Sequence, residues 1–403
     1  MSLSTADKPI NFIILNINVY SNYTSRHIAG AMRVKNIFDP MLTKPNVTVS
    51  NLVLLDVLEL ENNNNTSQQL PNIPCLSIGY LKITNIFSVF SFIAKGKKFI
   101  QAQQIKNATN VIYSYQYPDI RNIILILYAK YKGYKIIFDI VEDKNFQTAT
   151  GLNEKVTNWL SLFLFKKIRW YANAVFAIST HLMELVQQHS KNKIPIYSLP
   201  VSVNFKNFKP NENIIAAPKK QIEIFYGGSF AAKDGLEYLI AAINIVCKKH
   251  HNIKLVLSGK GKPTDVEKMC SKLEDKSILN FKGFLSNEAY FDLLQQVDIC
   301  CMTRNNSAFA NAGFPFKLGE FLAAGKVIIA TKVSDVEKYL VHQQSAMLIA
   351  PESVEEIVAA LNNCIENIAT LKNTMGKNAT AVAKKYFDAE IGSQLVYQTA
   401  LNF

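Results

Sequence analysis

The sequence predicts an α/β protein built from two Rossmann-like halves. Its apolar, β-rich segments are continuous rather than alternating, which is typical of parallel strands that are buried on both faces. Segments in which apolar residues recur at helical spacing separate these strands, as the crossover connections of a parallel sheet require. A polar, proline-containing stretch near the middle of the chain divides the strands into two groups of similar size.

The individual elements follow from these patterns in chain order. The first half contains strand-like segments at 11–17, 47–55, 110–115, 135–141 and 174–179. The second half contains strand-like segments at 222–228, 253–259, 297–303 and 326–331. Helical spacing is clearest at 234–251 and 353–373. This alternation predicts two parallel sheets that are covered by helices on both faces.

The domain boundary is expected in the stretch 195–225, where prolines bracket polar residues without a clear period. We predict a first domain over residues 1–203 and a second domain over residues 204–382. The remaining residues, 383–403, have helical spacing. We expect that helix to return to the first domain.

The composition describes a folded globular protein. The chain has 403 residues, of which 49% are apolar and 19% charged, enough for two full hydrophobic cores. Six scattered cysteines without CxxC spacing indicate reduced, mostly buried thiols and no zinc site. We see neither a signal peptide nor an apolar run of membrane-spanning length, so we expect a cytoplasmic protein.

The formal net charge of +13 indicates an anionic partner. Nucleic acid is disfavoured because the lysines are spread along the whole chain and no nucleic-acid-binding motif appears. A phosphorylated metabolite and a phospholipid surface stay open.

Ligands bind at the carboxyl ends of the strands in parallel α/β sheets, so the loops that follow the strands carry the candidate site. After the strand at 222–228, Gly227 and Gly228 leave the backbone open, and Lys233 precedes a helix start. Free N–H groups and a lysine charge would suit a diphosphate. An ordinary turn with a solvated lysine is an equally good interpretation of this segment alone.

Two further loops give weaker signals. Gly259 ends the next strand ahead of another helix, where a plain turn is more common than a phosphate site. Phe284 and Leu285 follow a short strand and could stack on a flat base. Such apolar pairs are more often part of a core.

The fourth loop is the most informative. Gly313, Phe314 and Pro315 shape a loop whose N–H groups can face an anion, and Lys317 adds positive charge. Glu320 falls within the first turns of the following helix, where a carboxylate is suited to binding a pair of ribose hydroxyls. A glutamate favoured there by the helix macrodipole is the common alternative.

Four segments, taken in their fixed order, resemble the donor-binding half of the retaining GT-B glycosyltransferases, family 4 in particular. They read GGSFAAKDGLEYLIAA, LVLSGKG, FKGFLSNEAYFDLLQQVDICCM and AGFPFKLGEFLAAGKVIIAT. The resemblance runs from about residue 110 to 385 and is specific only in the second half. It implies two Rossmann-like domains facing across a cleft, the first for an acceptor and the second for a nucleotide-sugar donor.

In that family a loop of the form E-G-F-G-x-P-x-x-E grips the nucleotide sugar, and the corresponding register here runs from Ala312 to Glu320. Glu320 matches the glutamate implied to bind the ribose hydroxyls. Gly313 and Phe314 match the backbone that approaches the sugar and the diphosphate. Lys233 matches the lysine implied to neutralise the departing diphosphate. The resemblance implies no metal or other cofactor, only a donor such as a UDP- or GDP-sugar.

The sequence departs from the family pattern at three places. An alanine replaces the first glutamate of that loop, and Ser229 stands where an arginine usually lies near the diphosphate. The histidine often found after the middle strand of the first domain is absent from VIYSYQYPD, which offers Tyr115 and Gln116. These departures leave the donor sugar and the activation of the acceptor open. Lys317 and Arg304 are candidates to supply the lost positive charge.

The first half supplies further acceptor-side candidates. Arg26 lies in a loop that could close over the donor, and Asp143 follows the strand at 135–141. For Asp143, a solvated loop charge is the more common outcome. Basic amphipathic segments at 85–101 and 156–171 could lie on an anionic membrane. For these we favour a core-facing helix with a solvated basic side.

We therefore expect a retaining, metal-independent glycosyltransferase of the hexosyltransferase type. We expect it to be cytoplasmic, and peripheral attachment to the inner face of the membrane is a further hypothesis. Its acceptor would be a glycan or a lipid-linked molecule in surface polysaccharide or glycoconjugate assembly, an expectation from family analogy. Two alternatives stay open. One is a non-catalytic nucleotide-sugar-binding or scaffold protein, and the other is a nucleotide-sugar epimerase of the same fold.

Overall fold

The computed structural model describes residues 8–20, 28–54, 73–78, 86–146, 151–208, 221–259, 261 and 263–403. The chain divides into two compact units. Unit 1 comprises Met1–Ser202 together with Ala389–Phe403, and unit 2 comprises Val203–Asp388. Unit 2 therefore begins one residue before the predicted start of the second domain, at 204, and ends six residues after its predicted end, at 382.

Unit 1 is built on a parallel sheet with the strand order β3-β2-β1-β4-β5-β6-β7. Its strands are β1 Ile10–Leu15, β2 Val47–Leu54, β3 Cys75–Ile78, β4 Thr109–Tyr115, β5 Lys135–Ile140, β6 Ala174–Ala177 and β7 Ile196–Ser198. Every residue of β1 and β4 is buried, as expected for central strands covered on both faces. Continuous apolar runs therefore gave the right prediction for the middle of this sheet.

Helices connect these strands. In unit 1 they are α1 Ile28–Phe38, α2 Ile86–Ala102, α3 Ile123–Tyr131, α4 Leu152–Phe165 and α5 Thr180–Ser190. Ser179 caps α5 because its hydroxyl accepts a hydrogen bond from the Leu182 amide.

A buried ion pair ties α1 to β5 inside unit 1. The Arg33 guanidinium donates to both carboxylate oxygens of Asp139 at 2.9 Å, and neither side chain is exposed to solvent. The Arg33 guanidinium also donates to the carbonyl oxygens of Leu199 and Pro200, at 2.7 and 2.6 Å. Burial opposes the guanidinium charge, but Asp139 outweighs that effect and raises the pKa of Arg33. This explains why a carboxylate stands inside an otherwise apolar strand.

Unit 2 is built on a second parallel sheet with the strand order β10-β9-β8-β11-β12-β13. Its strands are β8 Ile222–Gly228, β9 Ile253–Gly259, β10 Leu279–Phe281, β11 Ile299–Met302, β12 Val327–Thr331 and β13 Met347–Ile349. This is the Rossmann order 3-2-1-4-5-6, in which the direction of winding reverses between β8 and β11. The prediction of an α/β protein with two parallel sheets is confirmed.

The helices of unit 2 are α6 Leu236–Val246, α7 Pro263–Ser271, α8 Asn287–Gln296, α9 Ala308–Ala312, α10 Phe316–Ala323, α11 Val336–Tyr339, α12 Val354–Glu366, α13 Ile368–Asn373 and α14 Met375–Tyr386. The last helix, α15 Ala389–Leu401, packs against α1 in unit 1. Within the described ranges, no helix combines the length and apolarity needed to cross a bilayer.

Several predicted boundaries were wrong. The helical segment 353–373 is two helices, α12 and α13, which are separated at Asn367. The segment 383–403 also holds a break, between α14 and α15, where the Phe387 carbonyl accepts a hydrogen bond from the Val203 amide at 2.7 Å. Asn367 keeps the helical bonds of its amide to Asn363 and of its carbonyl to Leu371, but its dihedral angles, φ −114° and ψ 19°, are not helical. The sequence alone shows the pattern as continuous at both breaks.

The predicted linker contains a strand. β7 pairs in parallel with β6, so the start of the stretch 195–225 belongs to the sheet of unit 1. A three-residue edge strand is too short to show a period, and a nearby proline masks it further. Residues 209–220 of that stretch lie outside the described residues.

Candidate functional site

The carboxyl ends of β8 and β9 approach each other closely. Gly228 and Gly259 are register partners in the parallel ladder. Gly259 has φ +155°, and a β-carbon there would lie 1.7 Å from the Gly228 carbonyl oxygen, so only glycine fits. The two strands therefore end in bare backbone beside the point where the sheet reverses its winding.

The loop after β8 is fastened to the loop after β11. The Asn305 amide donates to the Lys233 carbonyl oxygen at 3.0 Å, and the Thr303 hydroxyl donates to the Gly235 carbonyl oxygen at 3.2 Å. Gly235 has φ +62°, and a β-carbon there would lie 1.9 Å from the Thr303 carbonyl oxygen. These contacts fix the backbone of the turn that carries Lys233 at the switch point of the sheet.

The Lys233 ammonium lies above an aromatic ring in the helix that follows that second loop. Its Nζ atom is 4.0 Å from the centroid of the Phe309 ring in α9. Such a cation–π contact holds a charge in place without neutralising it. A half-buried positive charge is thereby positioned at the carboxyl edge of the sheet.

Asp234 joins two side chains at the same edge. Ser229 donates its hydroxyl to Asp234 Oδ2 at 2.7 Å, and Arg304 Nε lies 3.8 Å from Asp234 Oδ1. The sequence points to Ser229 and Arg304 separately and predicts no role for Asp234. The structure brings them together through this carboxylate.

Glu320 takes part in a second cluster, with Tyr290 and Lys317. The Tyr290 hydroxyl donates to Glu320 Oε2 at 2.8 Å, and Lys317 Nζ lies 3.3 Å from the same oxygen. Lys317 Nζ also lies 3.6 Å from the centroid of the Tyr290 ring. Burial, and then the Glu320 charge, raise the pKa of Tyr290 well above its usual value, so its hydroxyl stays a donor. The Glu320 carboxylate is therefore held in one orientation.

The Tyr290 ring links Glu320 to the end of β8. A β-carbon on Gly227 would lie 3.7 Å from Tyr290 Cε2. The chain makes a second link. Helix α9 contains Phe309, whose ring contacts Lys233, and a short loop connects α9 to α10, which contains Glu320. The two clusters thus belong to one edge of one sheet.

The loop between α9 and α10 is fixed by its aromatic side chain. Phe314 is buried, with ring centroids 5.6 Å from Tyr339 and 5.7 Å from Phe387. Gly313 is in extended backbone at the end of α9, and Pro315 precedes the first turn of α10. Phe314 can therefore act on a ligand only through its backbone, as the resemblance implies.

The weaker candidates Phe284 and Leu285 lie in the loop after β10, with Phe284 exposed and Leu285 half-buried. The Gly283 carbonyl oxygen in that loop accepts hydrogen bonds from the Gly259 amide at 2.9 Å and from the Ser258 hydroxyl at 3.0 Å. This loop therefore adjoins the end of β9 and presents one aromatic ring to solvent.

In unit 1, Tyr115 and Gln116 stand at the carboxyl end of β4. Tyr115 is buried, and a β-carbon on Gly30 would lie 2.4 Å from its hydroxyl oxygen, so its ring packs beneath α1. Gln116 has φ +70° and donates its amide to the Asp139 carbonyl oxygen at 2.8 Å. The Gln116 side chain is half-buried and the more accessible of the two.

Asp143 forms a carboxylate–imidazole pair, and the interpretation as a solvated loop charge is wrong. Its side chain is 2% exposed, and it accepts hydrogen bonds from the amide and the side chain of Asn145 at 2.9 and 2.8 Å. His181 Nε2 lies 2.9 Å from Asp143 Oδ2, while the His181 side chain is 42% exposed in the first turn of α5. Sequence reasoning missed this histidine. Arg26 lies outside the described residues.

No group of three or more histidine, cysteine, aspartate or glutamate side chains converges as a metal site would require, in the part of the chain that the structure describes. All six cysteines are free thiols: Cys300, Cys301 and Cys364 are buried, Cys247 and Cys270 are half-buried, and Cys75 is exposed. The expectation of mostly buried thiols therefore holds for only half of them.

Comparison with known proteins finds a family similar to most of unit 2. Residues 207–382 match the family described as glycosyl transferases group 1. An uncharacterized glycosyltransferase of Methanocaldococcus jannaschii is 22% identical over 174 residues, which are 43% of this chain and 43% of that protein. The phosphatidylinositol N-acetylglucosaminyltransferase gpi3 subunit of Schizosaccharomyces pombe is 25% identical over 217 residues, which are 53% of this chain and 44% of that protein. The matches span less than half the length of either relative.

Solved structures resemble the whole chain in fold. Anabaena HepE in complex with UDP and glucose has a TM-score of 0.72 at 16% identity, covering 98% of this chain and 100% of that chain. Sucrose-phosphate synthase from Thermosynechococcus elongatus has a TM-score of 0.71 at 14% identity, covering 96% of this chain and 98% of that chain. The chain therefore has the two Rossmann-like domains of the GT-B fold, and its residues 207–382 are similar to the glycosyl transferases group 1 family.

Proposed function

We propose that this protein is a glycosyltransferase that moves a sugar from a nucleotide-diphosphate donor to a glycan or lipid-linked acceptor. The observation that carries the proposal is the joined pair of clusters around Lys233 and Glu320. Both lie at the carboxyl edge of one Rossmann-like sheet and inside the segment that matches the glycosyl transferases group 1 family. Nucleotides bind at such switch points in other α/β proteins.

In this proposal the two clusters divide the donor between them. The diphosphate contacts the bare backbone at Gly228 and the Lys233 ammonium, while the Glu320 carboxylate accepts hydrogen bonds from the ribose hydroxyls. The hydrogen bond from Tyr290 and the ion pair with Lys317 orient that carboxylate before the donor arrives. Anabaena HepE, whose fold this chain shares, has been solved in complex with UDP-glucose.

The chemistry follows from where charge develops. As the bond between the sugar carbon and the leaving diphosphate breaks, negative charge grows on the phosphate oxygens and the sugar becomes cation-like. Lys233 and the free amides at the start of α10 would stabilise the growing negative charge. We propose that these protein groups, without a metal ion, support transfer with retention of configuration.

The acceptor side is assigned to unit 1. The exposed imidazole of His181, oriented by the buried carboxylate of Asp143, can accept a proton or a hydrogen bond from an acceptor hydroxyl. Gln116, after the carboxyl end of β4, offers a half-buried side-chain amide. We further propose a cytoplasmic location and a role in surface polysaccharide or glycoconjugate assembly. The S. pombe relative is named for a lipid, phosphatidylinositol, which supports a lipid-linked acceptor.

Incubation with a panel of UDP- and GDP-sugars, with measurement of released nucleotide and of the sugar products, tests the proposed activity. We expect release of UDP or GDP that depends on an added acceptor. Conversion of the donor to an isomeric nucleotide sugar would favour an epimerase. Binding without turnover across all acceptor classes would favour a scaffold protein, as the alanine at position 312 could indicate.

Replacing Glu320 by glutamine tests the ribose contact. The Glu320→Gln variant should bind UDP or GDP about ten- to a hundredfold more weakly, since hydrogen bonds to a charged acceptor contribute about 1.5–3 kcal/mol. Titration calorimetry with the nucleotide and its 2′-deoxy form gives a sharper measurement. The wild type should discriminate against the deoxy form, whereas the variant should not.

The matched control is Tyr290→Phe, which removes the orienting hydroxyl but keeps the Glu320 charge. This variant should bind more weakly than the wild type and still discriminate against the 2′-deoxy nucleotide. Equal discrimination by wild type and Glu320→Gln would show that the carboxylate does not contact the ribose.

A further inference from the structure

Helix α4 of unit 1 has two apolar faces, and only one of them is covered. Ser161 and Phe165 are buried against the unit. On the opposite face the exposed apolar side chains are Leu152 at 77%, Val156 at 49%, Trp159 at 64% and Phe163 at 50%. The prediction that this segment buries its apolar side is therefore wrong for half of the helix.

The exposed side chains form a continuous stripe, Leu152–Val156–Trp159–Phe163. At about 100° per residue their spacing places them within roughly 60° of one another around the helix. The rings of Trp159 and Phe163 are stacked, with centroids 6.1 Å apart and an interplanar angle of 20°. Singly exposed apolar residues are ordinary, but an aligned row of four that includes two aromatic rings marks an interaction surface.

Basic residues border this stripe. On the helical wheel Lys155 and Lys166 lie on one side of it and Lys167 on the other, and all three are exposed. Lys167 Nζ lies 5.9 Å from the Phe163 ring centroid. The acidic residue of the helix, Glu154, projects from the face opposite the stripe.

The turn after α4 continues the pattern. Arg169 lies 4.8 Å from the ring of Trp170, and that ring is 66% exposed. Tryptophan favours the boundary between headgroups and acyl chains. The chain has two tryptophans, Trp159 and Trp170, and both lie in this region.

We propose that α4 and the turn Ile168–Trp170 form an interfacial helix that binds an anionic lipid surface, with the stripe among the acyl chains and the flanking cations at the headgroups. An amphipathic helix of this kind buries its apolar face by roughly 5–10 Å. A second copy of the chain fits less well. A two-fold contact through this stripe would bring the flanking lysines of one copy close to the same lysines of the other, and these like charges repel. The proposal rests on α4 alone and does not depend on the proposed glycosyl transfer.

Vesicle binding tests the proposal directly. Vesicles of equal parts phosphatidylcholine and phosphatidylglycerol should sediment the full-length protein, and vesicles of phosphatidylcholine alone should bind it far more weakly. Tryptophan emission should shift to the blue on binding, since both fluorophores lie at the proposed contact. High salt should weaken the binding, because the cations contribute by attraction to the anionic surface.

Two variants separate the apolar and the charged contributions. Trp159→Ser combined with Phe163→Ser should lower the partition coefficient at least about tenfold. Lys155, Lys166 and Lys167, all changed to glutamine, should lower it on anionic vesicles by up to about a hundredfold. The matched control changes three exposed lysines of unit 2, Lys268, Lys276 and Lys377, to glutamine and should leave most of the binding intact.

Three results would overturn the proposal. The first is the absence of binding to anionic vesicles. The second is equal weakening by the control substitutions, which would show that net charge alone attracts the protein to lipid. The third is self-association that disappears in the Trp159→Ser, Phe163→Ser variant, which would show that a second copy covers the stripe. Nucleotide binding should be unchanged in every variant, so this test and that of the proposed function have separate readouts.

Discussion

Replacing Arg33 by methionine should lower the free energy of unfolding by about 3–5 kcal/mol. The guanidinium is buried against the Asp139 carboxylate at 2.9 Å and also satisfies two backbone carbonyl oxygens. Its removal leaves a buried carboxylate without its counter-charge. Urea unfolding followed by tryptophan fluorescence gives the measurement, because both tryptophans of the chain lie in unit 1 with this pair.

A second substitution distinguishes a lost attraction from a stranded charge. The double variant Arg33→Met, Asp139→Leu should recover most of the stability, since apolar replacement of both partners of a buried pair is often close to neutral. The matched control on the same helix is Lys35→Met, because Lys35 pairs with Asp39 at the surface and its loss should cost less than about 1 kcal/mol. A loss for Arg33→Met no larger than for Lys35→Met would contradict this account of unit 1.

Replacing Lys233 by methionine should lower kcat about a hundred- to a thousandfold, with a smaller effect on KM. The reason is that the negative charge which this ammonium meets grows as the bond to the diphosphate breaks, so the lost interaction is strongest in the transition state. Steady-state kinetics with the nucleotide sugar identified in the donor panel gives the two constants separately.

The contact between Lys233 and Phe309 provides the control. If the lysine served only to hold α9, through the ring that lies 4.0 Å from its Nζ atom, then Phe309→Leu should cause a comparable loss. We expect Phe309→Leu to retain most of the activity, because the backbone of the turn that carries Lys233 stays fixed by the hydrogen bond from the Asn305 amide. A rise in KM with kcat unchanged in Lys233→Met would make Lys233 a ground-state binding residue.

Much of the fold could be predicted because the core strands carry their own signal. β8 and β9 have the predicted bounds because each apolar strand ends in a glycine. At Gly259 the glycine is required because the backbone lies close to the Gly228 carbonyl oxygen. β7 and β13 escaped prediction because three-residue edge strands show no period. The break at Asn367 was hidden because the helical spacing continues on both sides of it.

The candidate site could be predicted only in part. Glycines and charges next to strand ends pointed to Gly227, Lys233 and Glu320, because that inference needs only local pattern and strand polarity. Tyr290 and His181 could not be found in this way. Each is a helix residue whose partner carboxylate lies 30 or 38 positions away in the chain, and a lone tyrosine or histidine in a helix carries no signal of its own.

The same limit applies to the charges. Lys317 and Arg304 were predicted as replacements for a missing arginine, but the structure places them beside Glu320 and Asp234, at 3.3 and 3.8 Å. A carboxylate partner reduces the charge that either cation can offer a phosphate. Lys233 Nζ lies 4.0 Å from the centroid of the Phe309 ring, on the turn that follows β8, and it stays our candidate for the diphosphate.

We expect the carboxyl ends of β8 and β11 to hold the nucleoside diphosphate of the donor. Hydrogen exchange with and without UDP or GDP tests it most directly, because bound nucleotide slows exchange of the amides it covers. Protection should be concentrated in residues 227–236, 303–307 and 313–320. Nucleotide that binds yet leaves these three segments unprotected, with protection elsewhere in the chain, would contradict it.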